Sequence, residues 1–282
     1  MGYFLIVMNT FAGLAEGIFI KKYNSKHIHG GFIFTAIVSL FAMMFCIIRA
    51  GGRFVVVPEI VPYAVIAGIL YCVASILTYF ALSCGSFALS MLVLSYSLVF
   101  TIGYGVFFLH ESVTVFSIIG FVLLVISLFL TRKDGISGKV SAKWLVYIVI
   151  SVVGSGMYSV VTRMQQIHFN EVYNNEFLAI SFGLSAVILF VFGIFIDGKN
   201  MKEIVKYAVP YAMGAGLING LRNVLSLLIC TFLPISVSSA TGSGMKIVIS
   251  FFVSYLLFKE TFLKRQIVGV GVGAAALVLL NI

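Results

Sequence analysis

Three ionisable residues interrupt stretches of this 282-residue chain that are otherwise almost wholly apolar: Glu16, Arg222 and Lys246. Holding a charge within hydrocarbon costs a few kcal/mol or more, so such residues face a partner, a ligand or water, and mark substrate, ion or proton pathways. Two bases against one acid leave a positive charge over. An ionised base without a counter-charge in low dielectric is unfavourable, and the carboxylate or phosphate of a ligand would supply what is missing. Competing outcomes are an uncharged Lys246, an Arg222 that reaches the interface, and water solvating both. Glu16 has two candidate roles, as partner of one base or as carrier of a coupling proton.

The neighbours of these residues are polar at helical spacing. Ser239, Gly242, Ser243 and Ser250 surround Lys246; Asn219, Asn223 and Ser226 surround Arg222; Asn9 and Gly13 precede Glu16. Such stripes face a cavity or another helix rather than lipid. Among the tyrosines within apolar runs, Tyr96 stands between two serines and Tyr158 follows Gly154-Ser155-Gly156. Both hydroxyls need a partner. The candidate substrate-binding set is therefore Lys246, Arg222, Glu16, Asn219, Asn223, Tyr96, Tyr158 and Ser243.

The elements that position these side chains follow from composition. Hydrophobic residues make up 61% of the chain and charged residues 10%, and mean hydropathy is +1.16. A soluble globule carries about 25% charge, so a soluble enzyme, a disordered chain and a disulfide-stapled secreted domain are excluded. Runs long enough to cross a bilayer, about 20 residues each, fall at roughly 2–20, 31–48, 61–83, 87–109, 113–131, 144–162, 177–196, 208–233, 235–258 and 263–282. Continuous apolarity, without period-two alternation, makes them helices rather than barrel strands. The expected fold is an all-α membrane protein of ten transmembrane helices. With Pro234 at the turn, Arg222 and Lys246 each stand twelve residues from it, about 18 Å down their helices.

A repeat divides the chain. Residues 106–120, VFFLHESVTVFSIIG, align with residues 255–269, YLLFKETFLKRQIVG, pairing Glu111 with Glu260, Ser112 with Thr261 and Gly120 with Gly269. A weaker echo pairs Gly13 with Gly154 and Lys22 with Arg163. Two five-helix halves result, 1–131 and 144–282, joined by a linker at 132–143, and an odd helix count per half inverts one relative to the other. With the N-terminus outside, thirteen loop bases lie inside and three (Arg49, Arg53 and Arg163) outside, so the positive-inside rule expects both termini outside. Nothing resembles a cleaved signal peptide.

These features resemble the drug/metabolite transporter superfamily, in its ten-helix EamA-like branch. The resemblance rests on Leu109-His110-Glu111-Ser112 with Gly120, on Phe258-Lys259-Glu260-Thr261 with Gly269, and on the two five-helix halves. Glu16-Gly17 stands where many relatives have Trp-Gly, and Ser95-Tyr96-Ser97 where many have a proline; the family is usually drawn with both termini inside. The resemblance implies a carrier in the cell (inner, plasma) membrane that moves a small organic metabolite, commonly outward, by alternating access. The unbalanced bases point to an anionic or zwitterionic substrate such as an amino acid. Two alternatives stay open: a proton-coupled exporter of cationic drugs using Glu16, and a non-transporting membrane receptor or enzyme.

Other motifs carry less. Gly269-Val-Gly271-Val-Gly273 has no strand before it and reads as small-residue helix packing. His168-Phe-Asn-Glu171 offers too few ligands for a metal. Glu111 and Glu260 read as local, with Ser112 and Thr261 capping the helices after them. Cys46, Cys72, Cys84 and Cys230 form no metal or redox cluster. The expected partners are a small-molecule substrate, the bilayer and a coupling proton, with no cofactor and no nucleic acid.

Overall fold

The computed structural model describes residues 1–26, 30–51, 54–110, 114–131, 142–198, 201–259 and 264–280. Among the described residues there is no strand, and the helices are α1 (Gly2–Lys26), α2 (Gly31–Ala50), α3 (Val61–Cys84), α4 (Phe87–Leu94), α5 (Leu98–Phe108), α6 (Val115–Thr131), α7 (Ala142–His168), α8 (Asn174–Asp197), α9 (Met201–Phe232), α10 (Ile235–Phe258) and α11 (Lys264–Leu280). A 3-10 turn, Pro58–Ile60, leads into α3, and another, Ser95–Ser97, joins α4 to α5. Eight described segments are long and apolar enough to cross a membrane, counting Ser90–Phe108 as one; α6 and α11, at 17 residues each, are shorter.

Local chemistry explains several boundaries. Gly51 ends α2 in the left-handed region at φ 61°, its N–H returning to the carbonyl of Ile48, a conformation that a side chain would strain. Pro234 restricts the residue before it and separates α9 from α10. Three boundaries move by six residues or more from the sequence expectation, the first being the end of α1, which runs on from 20 to Lys26. The helix containing 144–162 continues to His168, because the polar residues of its last turns find partners inside the bundle: Arg163 Nη1 donates to Gln166 Oε1 at 2.7 Å, and Gln166 Nε2 donates to the carbonyl of Leu227 at 2.9 Å. The run at 208–233 begins earlier, at Met201, and passes through Pro210.

Helix α1 packs on α9 and α3 on α7, while α2 lies against both α8 and α9, α3 also meets α8, and α6 pairs with α11. Small residues allow these approaches. An added Cβ at Gly216 would lie 2.5 Å from the Val38 carbonyl oxygen, so α9 and α2 touch backbone to backbone there. Serine hydroxyls tie α8 and α7 to α3: Ser185 Oγ donates to the carbonyl of Gly68 at 2.6 Å and Ser151 Oγ to that of Ala74 at 3.0 Å. In lipid, where burial of apolar surface gives helices little reason to associate, close packing and such hydrogen bonds hold the bundle.

Candidate functional site

The helices enclose a cavity of about 330 Å³, within the range of small-molecule sites. Its walls come from α1, α2, α3, α4, α5, α7, α9 and α10, and among the described residues none of α6, α8 or α11 lines it.

One end is sealed by aromatic rings. Tyr23, 1% exposed, stacks on Phe34 with centroids 4.4 Å apart and lies 6.3 Å from Tyr79 and 6.1 Å from Tyr211. Lys21 Nζ ties α1 to the end of α3, donating to the carbonyls of Leu82 at 2.8 Å and Gly85 at 2.7 Å. These carbonyls belong to the last turn of α3 and its cap, where helix carbonyls lack intrahelical partners, so a cation is favourable there. The opposite end lies toward the α9–α10 turn and is lined by Arg163, Gln166, Cys230, Ile235 and Ser238.

The charged residues meet between these ends. Arg222 Nε lies 3.0 Å from Glu16 Oε2, an ion pair by distance in which the Nε–H is not aligned as a hydrogen bond. The Arg222 side chain is 34% exposed and that of Glu16 14%. Asn219 Nδ2 donates to the other oxygen of Glu16. Asn223 Nδ2 donates to the backbone carbonyl of Asn219 at 2.9 Å and to its Oδ1 at 3.1 Å, and Tyr158 Oη donates to Asn223 Oδ1 at 3.0 Å. A polar chain thus runs from α1 across α9 to α7, and both carboxylate oxygens of Glu16 are engaged by protein groups. Gly13 makes room for it: a Cβ there would sit 3.3 Å from Arg222 Cδ.

Lys246 lines the same cavity, half-buried, one turn after Ser243. It makes no hydrogen bond or ion pair with the described residues. Arg222, Glu16, Asn219, Asn223, Tyr158, Ser243 and Lys246 all line this one cavity.

Tyr96 does not, and this is a correction. It lines no part of the cavity; its ring packs against the hydrophobic clusters around Met91 and Leu94 and around Leu98 and Phe251. Residues 95–97 form a 3-10 turn in which Ser95 and Ser97 line the cavity while the ring between them packs into the apolar clusters. Glu111, Glu260, Ser112 and Thr261 lie outside the described residues.

Sequence alone puts Arg163 in a loop beyond the apolar run, whereas it lines the cavity from α7. A signal does exist: Ser155, Tyr158, Ser159, Thr162, Arg163 and Gln166 recur at three- and four-residue spacing, and all line the cavity. Among the described residues the lining holds three bases, Arg163, Arg222 and Lys246, against a single acid, Glu16.

Neither a protein-family model nor a curated protein matches the chain. The fold does match solved structures. One, described only as "Crystal structure of protein", superposes with a TM-score of 0.67 at 13% identity, covering 99% of this chain and 94% of the other. At that identity the likeness is one of fold alone, and it extends over nearly the whole of both chains.

Proposed function

We propose that the protein is a secondary active transporter, similar to the EamA-like branch of the drug/metabolite transporters, that carries a small organic anion across the cell membrane by alternating access. The observation that carries this reading is Lys246. It is a base in the wall of an internal cavity that makes no ion-pair contact among the described residues, and the acid whose field reaches it, Glu16, is already engaged by Arg222 and Asn219. A negative substrate group completes that arrangement. Glu16, with both oxygens engaged, is poorly disposed to receive a cationic drug.

The carrier architecture, ten spans in two inverted five-helix repeats, draws support from two regularities. Exchanging the halves maps the packing onto itself: α1 on α9 becomes α7 on α3, α2 on α9 becomes α8 on α3, and the α2–α8 and α6–α11 pairs map onto themselves. His110 and Lys259, at matching positions of the repeat, both take the left-handed conformation, with φ 51° and φ 52°. A two-fold arrangement of this kind suits a midplane site between halves that rock against each other. In the outward-termini reading, the aromatic seal lies on the cytoplasmic side.

Counterflow in proteoliposomes tests the proposal. Vesicles preloaded with a mixture of organic acids should accumulate labelled carboxylates and exclude quaternary ammonium compounds. Exchange confined to quaternary amines, or no exchange with any class, would refute it.

A further inference from the structure

On the basis of the carrier reading, we infer that the cavity is built for a small organic dianion, with one negative group on Lys246 and a second, at a different level, on Arg163. Of the three bases lining the cavity, Arg222 is matched by Glu16. Arg163 and Lys246 make no ion-pair contact with an acid among the described residues; Lys246 feels Glu16 at longer range, where Arg222 outweighs it. Arg163 donates from Nη1 to Gln166 Oε1 at 2.7 Å, a neutral acceptor, and its Nε is buried without a hydrogen-bond partner. Gln166 is itself fixed through Nε2 to the Leu227 carbonyl. The amide therefore aims the guanidinium without neutralising it.

The two bases stand at different heights. Arg222 and Lys246 lie twelve residues before and after Pro234, hence at one level. The Tyr158–Asn223 hydrogen bond ties α7 to α9 at that same level. Arg163 comes five residues after Tyr158, about 7–8 Å nearer the Pro234 end, and the Gln166–Leu227 contact shows α7 climbing α9 in that direction.

A monoanion would satisfy one base and leave the other unmatched in a partly desolvated wall. A zwitterion would match neither charge balance nor geometry, since its ammonium would find no free carboxylate. A diacid with its two groups separated by a short chain matches both, and the planar guanidinium suits a carboxylate as a bidentate donor. A phosphomonoester carries both charges on one group and would engage a single level.

The experiment measures thermal stabilisation of the purified full chain by diacids from succinate through suberate, by their monomethyl esters, and by glycerol 3-phosphate. The expected result is a length optimum among the diacids, with the best binding about tenfold or more tighter than its monoester, the equivalent of one charge-assisted hydrogen bond. Arg163→Gln should abolish that margin, bringing the diacids and their monoesters to equal binding, and Arg163→Lys should keep part of it. Should Arg163→Gln fail to fold, the wild-type length series and Arg163→Lys decide. Equal binding of diacids and monoesters by the wild type, or glycerol 3-phosphate as the best ligand without a diacid optimum, overturns the dianion inference and leaves the carrier reading intact. Failure of every anion to bind removes the carrier reading as well.

Discussion

Replacing Glu16 by glutamine removes the acid but keeps an oxygen able to accept from Asn219, so the change isolates the charge. Breaking a fully buried ion pair costs about 3–5 kcal/mol, because the surviving charge stays uncompensated. Arg222 is 34% exposed and Glu16 14%, which moves the pair part-way toward the weak surface regime and brings the expected loss to about 1–2 kcal/mol. At about 2–4 °C per kcal/mol for a chain of this size, the midpoint of thermal unfolding in detergent should fall by about 2–8 °C. Arg222→Met alone should cost a similar amount, by stranding Glu16. The double variant Glu16→Gln/Arg222→Met should recover most of either loss, giving a coupling of about 2–3 kcal/mol, as expected for residues in contact. Anion binding supplies a second readout: Glu16→Gln, which frees another base, should tighten it. Additive losses in the cycle, or Glu16→Gln as stable as the wild type with unchanged anion affinity, would refute the assignment of Glu16 as the partner of Arg222.

Gly216→Ala should lower the unfolding midpoint by about 2–12 °C, since its Cβ would meet the Val38 carbonyl oxygen at 2.5 Å and Phe41 Cβ at 2.7 Å and overpacking costs about 1–3 kcal/mol. Gly103→Ala, where nothing lies within 4 Å, should leave it unchanged, and equal effects at both sites would discredit the close α2–α9 contact. The native thiols report sidedness. Cys230 lines the cavity toward the Pro234 end and Cys84 is exposed at the far end of α3. With both termini outside, an impermeant maleimide applied to intact cells should label Cys230 and spare Cys84; the reverse pattern would place the termini inside.

Much of the site is legible in the sequence because the bilayer makes charge expensive. Glu16, Arg222 and Lys246 stand out against their apolar surroundings, and counting from Pro234 is enough to put the two bases at one depth. The stripes around them, from Asn219 to Asn223 and from Ser239 to Lys246, arise from helical periodicity and line the cavity. What the sequence hides depends on tertiary partners. Arg163 resembles a loop base because it lies just beyond the apolar run, yet Gln166 and Leu227 let the helix continue and carry the guanidinium inward. Tyr96 resembles a cavity residue because serines flank it, but its ring packs into the apolar interior beside Met91, Leu98 and Phe251. The seal of Tyr23, Phe34, Tyr79 and Tyr211 joins four helices, and no local pattern announces it.

The central claim is that Lys246 meets the negative group of the substrate, and anion-dependent stabilisation of its variants tests this most directly. Thermal shift of the wild type, Lys246→Arg and Lys246→Met against a panel of carboxylates should show stabilisation in the wild type, a reduced but present effect in Lys246→Arg, and none in Lys246→Met, whose unliganded midpoint is no lower than that of the wild type. Full carboxylate stabilisation in Lys246→Met would contradict that claim.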